Sequence, residues 1–114
     1  MVVTDGAMSK IVEGPDMIVN CPLHCIKQMG EWYHDKHSKS GLIDKARRSR
    51  YRGRDTEPYF LDFLQNECGI GKGKAPICGN GVHYLMIFIK KDMPKLYDYL
   101  SPQYIDIGTI RLIT

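Results

Sequence analysis

No window of this chain approaches the roughly 20 uninterrupted apolar residues that a membrane span needs, so a spanning helix is not expected. Its start, Met1-Val-Val-Thr-Asp-Gly6, lacks the basic region and long apolar core of a secretory signal. A soluble intracellular protein is therefore the default expectation. The four cysteines, Cys21, Cys25, Cys68 and Cys78, lack the tight repeated spacing of a zinc ribbon or of a secreted disulfide framework. Cys21, His24 and Cys25 do place three soft ligands within one turn of chain, but no second CxxC or HxxxH closes a site around them. Reduced, mostly buried thiols are expected instead.

What is present suits one domain or a piece of one, residues 1–114. The 43% hydrophobic and 25% charged residues argue against disorder, and a chain of this length can bury a modest core. The net charge of +3 permits nucleic acid as a partner without requiring it. Its distribution says more. Lys45, Arg47, Arg48, Arg50, Arg52 and Arg54 crowd one stretch, and no acid intervenes between Asp44 and Asp55. That is a phosphate-sized patch, which a solvated basic loop or a targeting tract also explains.

Along the chain, Met1–Asp5 and Lys10–Asn20 are rich in β-branched residues and read as two antiparallel strands, with a bulge or kink at Gly14-Pro15. Leu23, Ile26, Met29, Trp32 and Tyr33 recur at helical spacing and predict one amphipathic helix over Leu23–His37, with Trp32 near its exit. Ser38–Asp55 holds little apolar material except Leu42 and Ile43, and Ser38-Lys-Ser-Gly41 within it reads as a loop. Pro58–Cys68 predicts a second helix stopped by Gly69, and Gly69–Ala75 a flexible connector.

The glycine-flanked Asn80 is the pivot of the most informative stretch, Ala75–Leu100. Asn80-Gly81 followed by Val82–Ile89 is a hairpin signal, whereas Met93, Leu96, Tyr97 and Leu100 mark a helical stripe further on, so hairpin and strand–turn–helix stand side by side. Tyr104–Gly108 is a short β-like run, and Thr109–Thr114 ends the chain where another helix is expected. The alternation of elements argues for an α/β fold with a mixed sheet.

In order, Val3-Thr-Asp5, Ile11-Val-Glu-Gly-Pro15, Trp32, His37-Ser-Lys-Ser-Gly-Leu42, Pro76-Ile-Cys-Gly-Asn-Gly-Val-His83, Met93-Pro94 and Ile105-Asp-Ile-Gly-Thr109 resemble the oligoribonucleases, over nearly the whole chain. The resemblance implies a ribonuclease H-like mixed sheet flanked by helices, a homodimer, and removal of nucleotides from the 3′ end of short RNA with two Mg²⁺ or Mn²⁺ ions. It also implies a helix over His83–Leu100, with a break at Pro94.

The same resemblance marks departures. The family's Asp-x-Glu on a first, central strand has no counterpart in this chain, nor have the His and Asp of its last helix. Tyr84 and Leu85 stand where Glu and Asp are usual, Pro102 and Gln103 where a Tyr-Arg pair holds the 5′ phosphate across the dimer, and Gly108 where a serine is usual. Two-metal phosphoryl chemistry needs hard oxygen ligands. The expectation is a truncated, catalytically inactive relative with no metal or cofactor of its own, intracellular in the cytoplasm or mitochondrion. Trp32, which stacks on a base in the family, and His37, near the scissile end, remain as candidate RNA contacts, although a helical tryptophan is more often core. His34 and His37 lie three apart, as a metal pair or an exposed helix end. A small basic module binding nucleic acid through Lys45–Arg54 is the alternative, and a longer active parent stays open. Without its central strand the chain is expected to be marginal alone, rearranged or dependent on a partner.

Overall fold

A computed structural model describes all of residues 1–114. The chain forms two compact units, one of residues 1–15 and 57–114, the other of residues 16–56.

The larger unit opens with strands β1 (Val2–Thr4) and β2 (Ile11–Glu13), paired antiparallel with Val3 opposite Val12. The Asp5 carboxylate closes the turn between them, accepting from the Ser9 amide at 2.7 Å and the Lys10 amide at 3.2 Å. The expected second strand to Asn20 stops at Glu13. Gly14 lies against the buried Phe63 ring and Pro15 has no amide to give, so the ladder ends there.

Two more strands, β3 (Ile77–Gly79) and β4 (Tyr104–Asp106), pair in parallel with Gly79 opposite Asp106. The four strands thus make two separate two-stranded sheets rather than one continuous mixed sheet. Both rest on one core of Phe63, Leu64, Ile89, Leu96 and Leu100, against which Val3 of β1 and Ile77 of β3 pack. The fold is α/β, small sheets flanked by helices.

Helix α5 (Val82–Asp92) and helix α6 (Pro94–Tyr99) cross from β3 to β4, and helix α7 (Ile107–Ile113) follows β4 directly. The hairpin reading of Asn80-Gly81 therefore gives way to strand–turn–helix, and the break falls at Met93-Pro94. The last residues are helical, and the Asp106 side chain caps α7 at the Gly108 amide. Gly69–Ala75, expected to be a flexible connector, is tied down: Ile70 donates its amide to Leu64 at 2.8 Å and Gly73 to Tyr99 at 2.8 Å.

In the smaller unit the single expected helix over Leu23–His37 is two, α1 (Leu23–Lys27) and α2 (Glu31–Lys39), parted at Gly30, whose extended backbone starts α2. Of the expected loop Ser38–Gly41 only Ser40 and Gly41 lie between helices, since α2 runs to Lys39 and helix α3 (Leu42–Arg48) begins directly after Gly41. With Asp44 in its first turn and Lys45, Arg47 and Arg48 in its last, α3 complements the helix dipole at both ends. The Asp44–Arg48 pair at 3.2 Å adds to this. Residues 18–21 lie beside 46–51, where Asn20 donates its amide to Tyr51 at 2.7 Å and its side chain to Ser49 at 2.7 Å. Helix α4 spans Gly53–Asp62 and is followed by a π-turn over Phe63–Glu67.

Candidate nucleic-acid interface

Helix α2 buries none of its residues. Trp32, the only tryptophan, is 64% exposed, so it is not a core residue. The neighbouring Tyr33 ring meets it edge to face at 4.9 Å, and Tyr33 stacks on His37 one turn later at 6.5 Å. Lys36 places its ammonium 4.8 Å from the Trp32 ring centre. The i, i+4 spacing of the helix makes both pairs, Trp32 with Lys36 and Tyr33 with His37. Exposed aromatic faces beside a cation are what a stacked nucleobase and its phosphate need. Sequence reasoning named Trp32 and His37 but not their neighbours Tyr33 and Lys36, although the helical offset of these two was the available signal.

The six basic side chains are all exposed but do not share a loop. Lys45, Arg47 and Arg48 end α3, which packs against α2. Arg50 sits in the connector with its guanidinium 5.4 Å from the Tyr51 ring, Arg52 precedes α4, and Arg54 lies in its first turn. The smaller unit therefore holds Trp32, His37 and the whole basic stretch.

The larger unit holds the position where the resemblance implies a metal ligand. Gly81, at φ +74°, turns the chain from β3 into α5, and the Asp106 carboxylate receives the orphan amides of that helix start. Gly81 donates to Oδ1 at 3.2 Å and Val82 to Oδ2 at 3.1 Å, while Gly108 donates to Oδ1 at 2.9 Å. His83 Nδ1 stands 3.5 Å from Oδ2. Burial pushes the Asp106 carboxyl up, but the Gly81 and Gly108 amides, His83 and Val82 together outweigh it and hold the group below the ordinary carboxylate value.

These residues do not fit a divalent metal. The first turn of α5 carries no acid, Tyr84 and the 47% exposed Leu85 present a ring and an isobutyl group, and Asp106 is engaged by three amides. Nowhere do three His, Cys, Asp or Glu side chains gather as a metal site would require. Cys21, His24 and Cys25 thus form no such cluster, nor do His34 and His37. The thiols are all free, and contrary to expectation Cys25 and Cys78 are exposed. Pro102 and Gln103 line a hollow of about 440 Å³ with Pro76, Tyr104 and Ile105, which offers no cation to a phosphate.

Fold and sites together define a small α/β protein with an exposed aromatic and basic helical unit and an apolar helix start where carboxylates are expected. No model of a known protein family matches the chain. Among curated proteins it is 32% identical over 113 residues to the oligoribonuclease of Vibrio parahaemolyticus, covering 99% of this chain and 61% of that protein. It is 34% identical over 110 residues to the oligoribonuclease of Pasteurella multocida, with 96% and 59% covered, and 35% identical over 111 residues to a probable oligoribonuclease of Caenorhabditis elegans, with 97% and 56% covered. The chain is oligoribonuclease-like along nearly its whole length, and it spans about three fifths of the length of these relatives.

Proposed function

We propose that this chain is a catalytically silent oligoribonuclease-like protein that holds short RNA without hydrolysing it, with a base on Trp32 and His37 beside it. The observation that carries the RNA contact is the exposed Trp32 ring with Lys36 at its face. Silence rests on Leu85 and Tyr84, since side chains without hard oxygens cannot neutralise the charge of a transferring phosphoryl group. No Mg²⁺ or Mn²⁺ dependence goes with this reading.

The ribonuclease H-like fold and its gap belong to the same proposal. Sheets β1–β2 and β3–β4 share a core through Val3 and Ile77 yet are not bonded to each other. A strand supplied by a partner chain would join them, and a homodimer belongs to the same reading. The cytoplasm or mitochondrion is the corresponding setting.

Incubation of the purified chain with a labelled RNA of a few nucleotides and Mn²⁺ tests the reading. Intact RNA together with quenching of Trp32 fluorescence is the expected result. Chelator-sensitive shortening by a preparation free of other nucleases would overturn it.

The six exposed cations favour a second reading, a basic module that grips phosphates through Lys45, Arg47, Arg48, Arg50, Arg52 and Arg54. Its mark is affinity that falls steeply with salt and is lost in the Arg47→Ala/Arg48→Ala variant, whereas Trp32→Ala leaves it intact.

A further inference from the structure

Trp32 and Tyr33 are consecutive residues of α2, and consecutive side chains leave an α-helix about 100° apart. Their rings keep that divergence. The two planes stand at 88° with centres 4.9 Å apart, yet both side chains stay more than half exposed, 64% for Trp32 and 58% for Tyr33. Each therefore keeps ring surface to offer. His37 lies at only 25° to Tyr33 and backs that ring from the next turn of the helix. Lys39 is engaged by Asp35 at 3.1 Å, so Lys36 is the lysine of α2 left to meet a phosphate beside the two rings.

A base stacks with its plane parallel to the ring that receives it, so bases on Trp32 and on Tyr33 stand close to perpendicular to each other. Neighbouring bases of an RNA helix, or of a stacked single strand, are close to parallel instead. Stacked neighbours thus cannot use both rings, and a strand that does use both must first open its own base stack.

We propose that Tyr33 is a second base platform and that α2 selects an RNA dinucleotide step whose two bases are unstacked and turned about a right angle apart. This deepens the RNA contact proposed above and rests on it. Each ring replaces part of the stacking that the step gives up, and Lys36 faces the phosphate. Adenines stack on each other most strongly and uracils least, so the second base adds more affinity in a UpU step than in an ApA step. Paired RNA is refused, since its bases cannot turn.

The test titrates the full chain with UpU and with uridine 3′-methyl phosphate, which carries the same single charge but lacks the second base, and likewise with ApA and adenosine 3′-methyl phosphate. Quenching of the one tryptophan reads the binding. UpU should bind about tenfold more tightly than its one-base counterpart, and the corresponding gain for ApA should be about threefold smaller. Tyr33→Leu should remove the UpU gain; α2 buries none of its residues, so this variant keeps the fold. No quenching by any of the four ligands removes the RNA contact itself and this proposal with it. Quenching by all four with no gain from the second base, or a gain that survives Tyr33→Leu, leaves the RNA contact standing and overturns Tyr33 as a platform. Equal gains in the two series, or an RNA duplex that competes as well as UpU, overturns the right-angled step.

Discussion

Glu57 caps a helix whose first amide lies 38 residues further along the chain: its Oε2 accepts from the Lys95 amide at 2.9 Å and the Leu96 amide at 3.1 Å. Pro94 opens α6 and has no amide, so these are the first two donors the helix start leaves over. Glu57 is buried at α4, and the contact ties α4 to the α5–α6 pair through one carboxylate. Glu57→Ala leaves both amides without an acceptor beside the buried Leu96 and should cost about 1–3 kcal/mol in a urea unfolding series. Glu57→Gln keeps one acceptor oxygen and should cost less. Equal losses in the two variants would mean that side-chain volume, not the cap, is what matters.

The Asp106 carboxylate does similar work at the other end of α5, with both oxygens in use. Oδ1 serves Gly81 and Gly108, and Oδ2 serves Val82 and faces His83. Asp106→Asn must turn an amide group toward one of these donors, so it should destabilise more than an exposed Asp→Asn change does. The folded carboxyl lies below its ordinary value near 4, and its contribution is therefore present above about pH 4 and lost as pH falls through the depressed folded value. Urea midpoints at pH 7 and pH 3 should differ more for the native chain than for Asp106→Asn. An identical acid sensitivity in both would assign the acid response to other groups.

These two carboxylates explain what the sequence did and did not reveal. The β1–β2 pair is legible because its β-branched residues and the Asp5–Ser9 turn are local. Asn80-Gly81 is ambiguous locally, because the group that favours a helix over a hairpin is Asp106, 24 to 25 residues away. Glu57 carried no signal, as nothing near it in sequence needs a cap. Helix α3 gives little apolar signal because Ile43 and Ala46 are nearly all it turns inward, yet Asp44 and Arg48 at i, i+4 and the acid-to-base order are readable. At the candidate interface, Trp32 and His37 were legible by resemblance, while the exposure of Trp32 depended on the break at Gly30.

That exposure makes Trp32 a direct reporter. Its emission should shift little between native and unfolded chain, because the indole is already in water. Lys36→Ala should preserve stability within about 0.5 kcal/mol, since an exposed cation–π contact contributes little, and should weaken quenching by short RNA. A large blue shift in the native chain would place Trp32 in a contact that this structure lacks.

Gly14 offers the sharpest test of the core. A Cβ built there meets three Phe63 ring carbons at 2.5, 2.7 and 2.8 Å. Phe63 is 1% exposed and packed among Leu64, Ile89, Leu96 and Leu100, so the ring has no free direction in which to yield. Gly14→Ala should therefore cost about 1–3 kcal/mol, the usual range for overpacking, whereas Gly6→Ala, with nothing within 4 Å, should be close to neutral. Phe63→Leu removes the clashing ring atoms at its own cost in cavity. In that background Gly14→Ala should be markedly cheaper, giving a coupling of about 1 kcal/mol in a double-mutant cycle. Additive effects would mean that the two residues do not touch in solution, and that the Glu13–Pro15 end of the hairpin does not rest on the core.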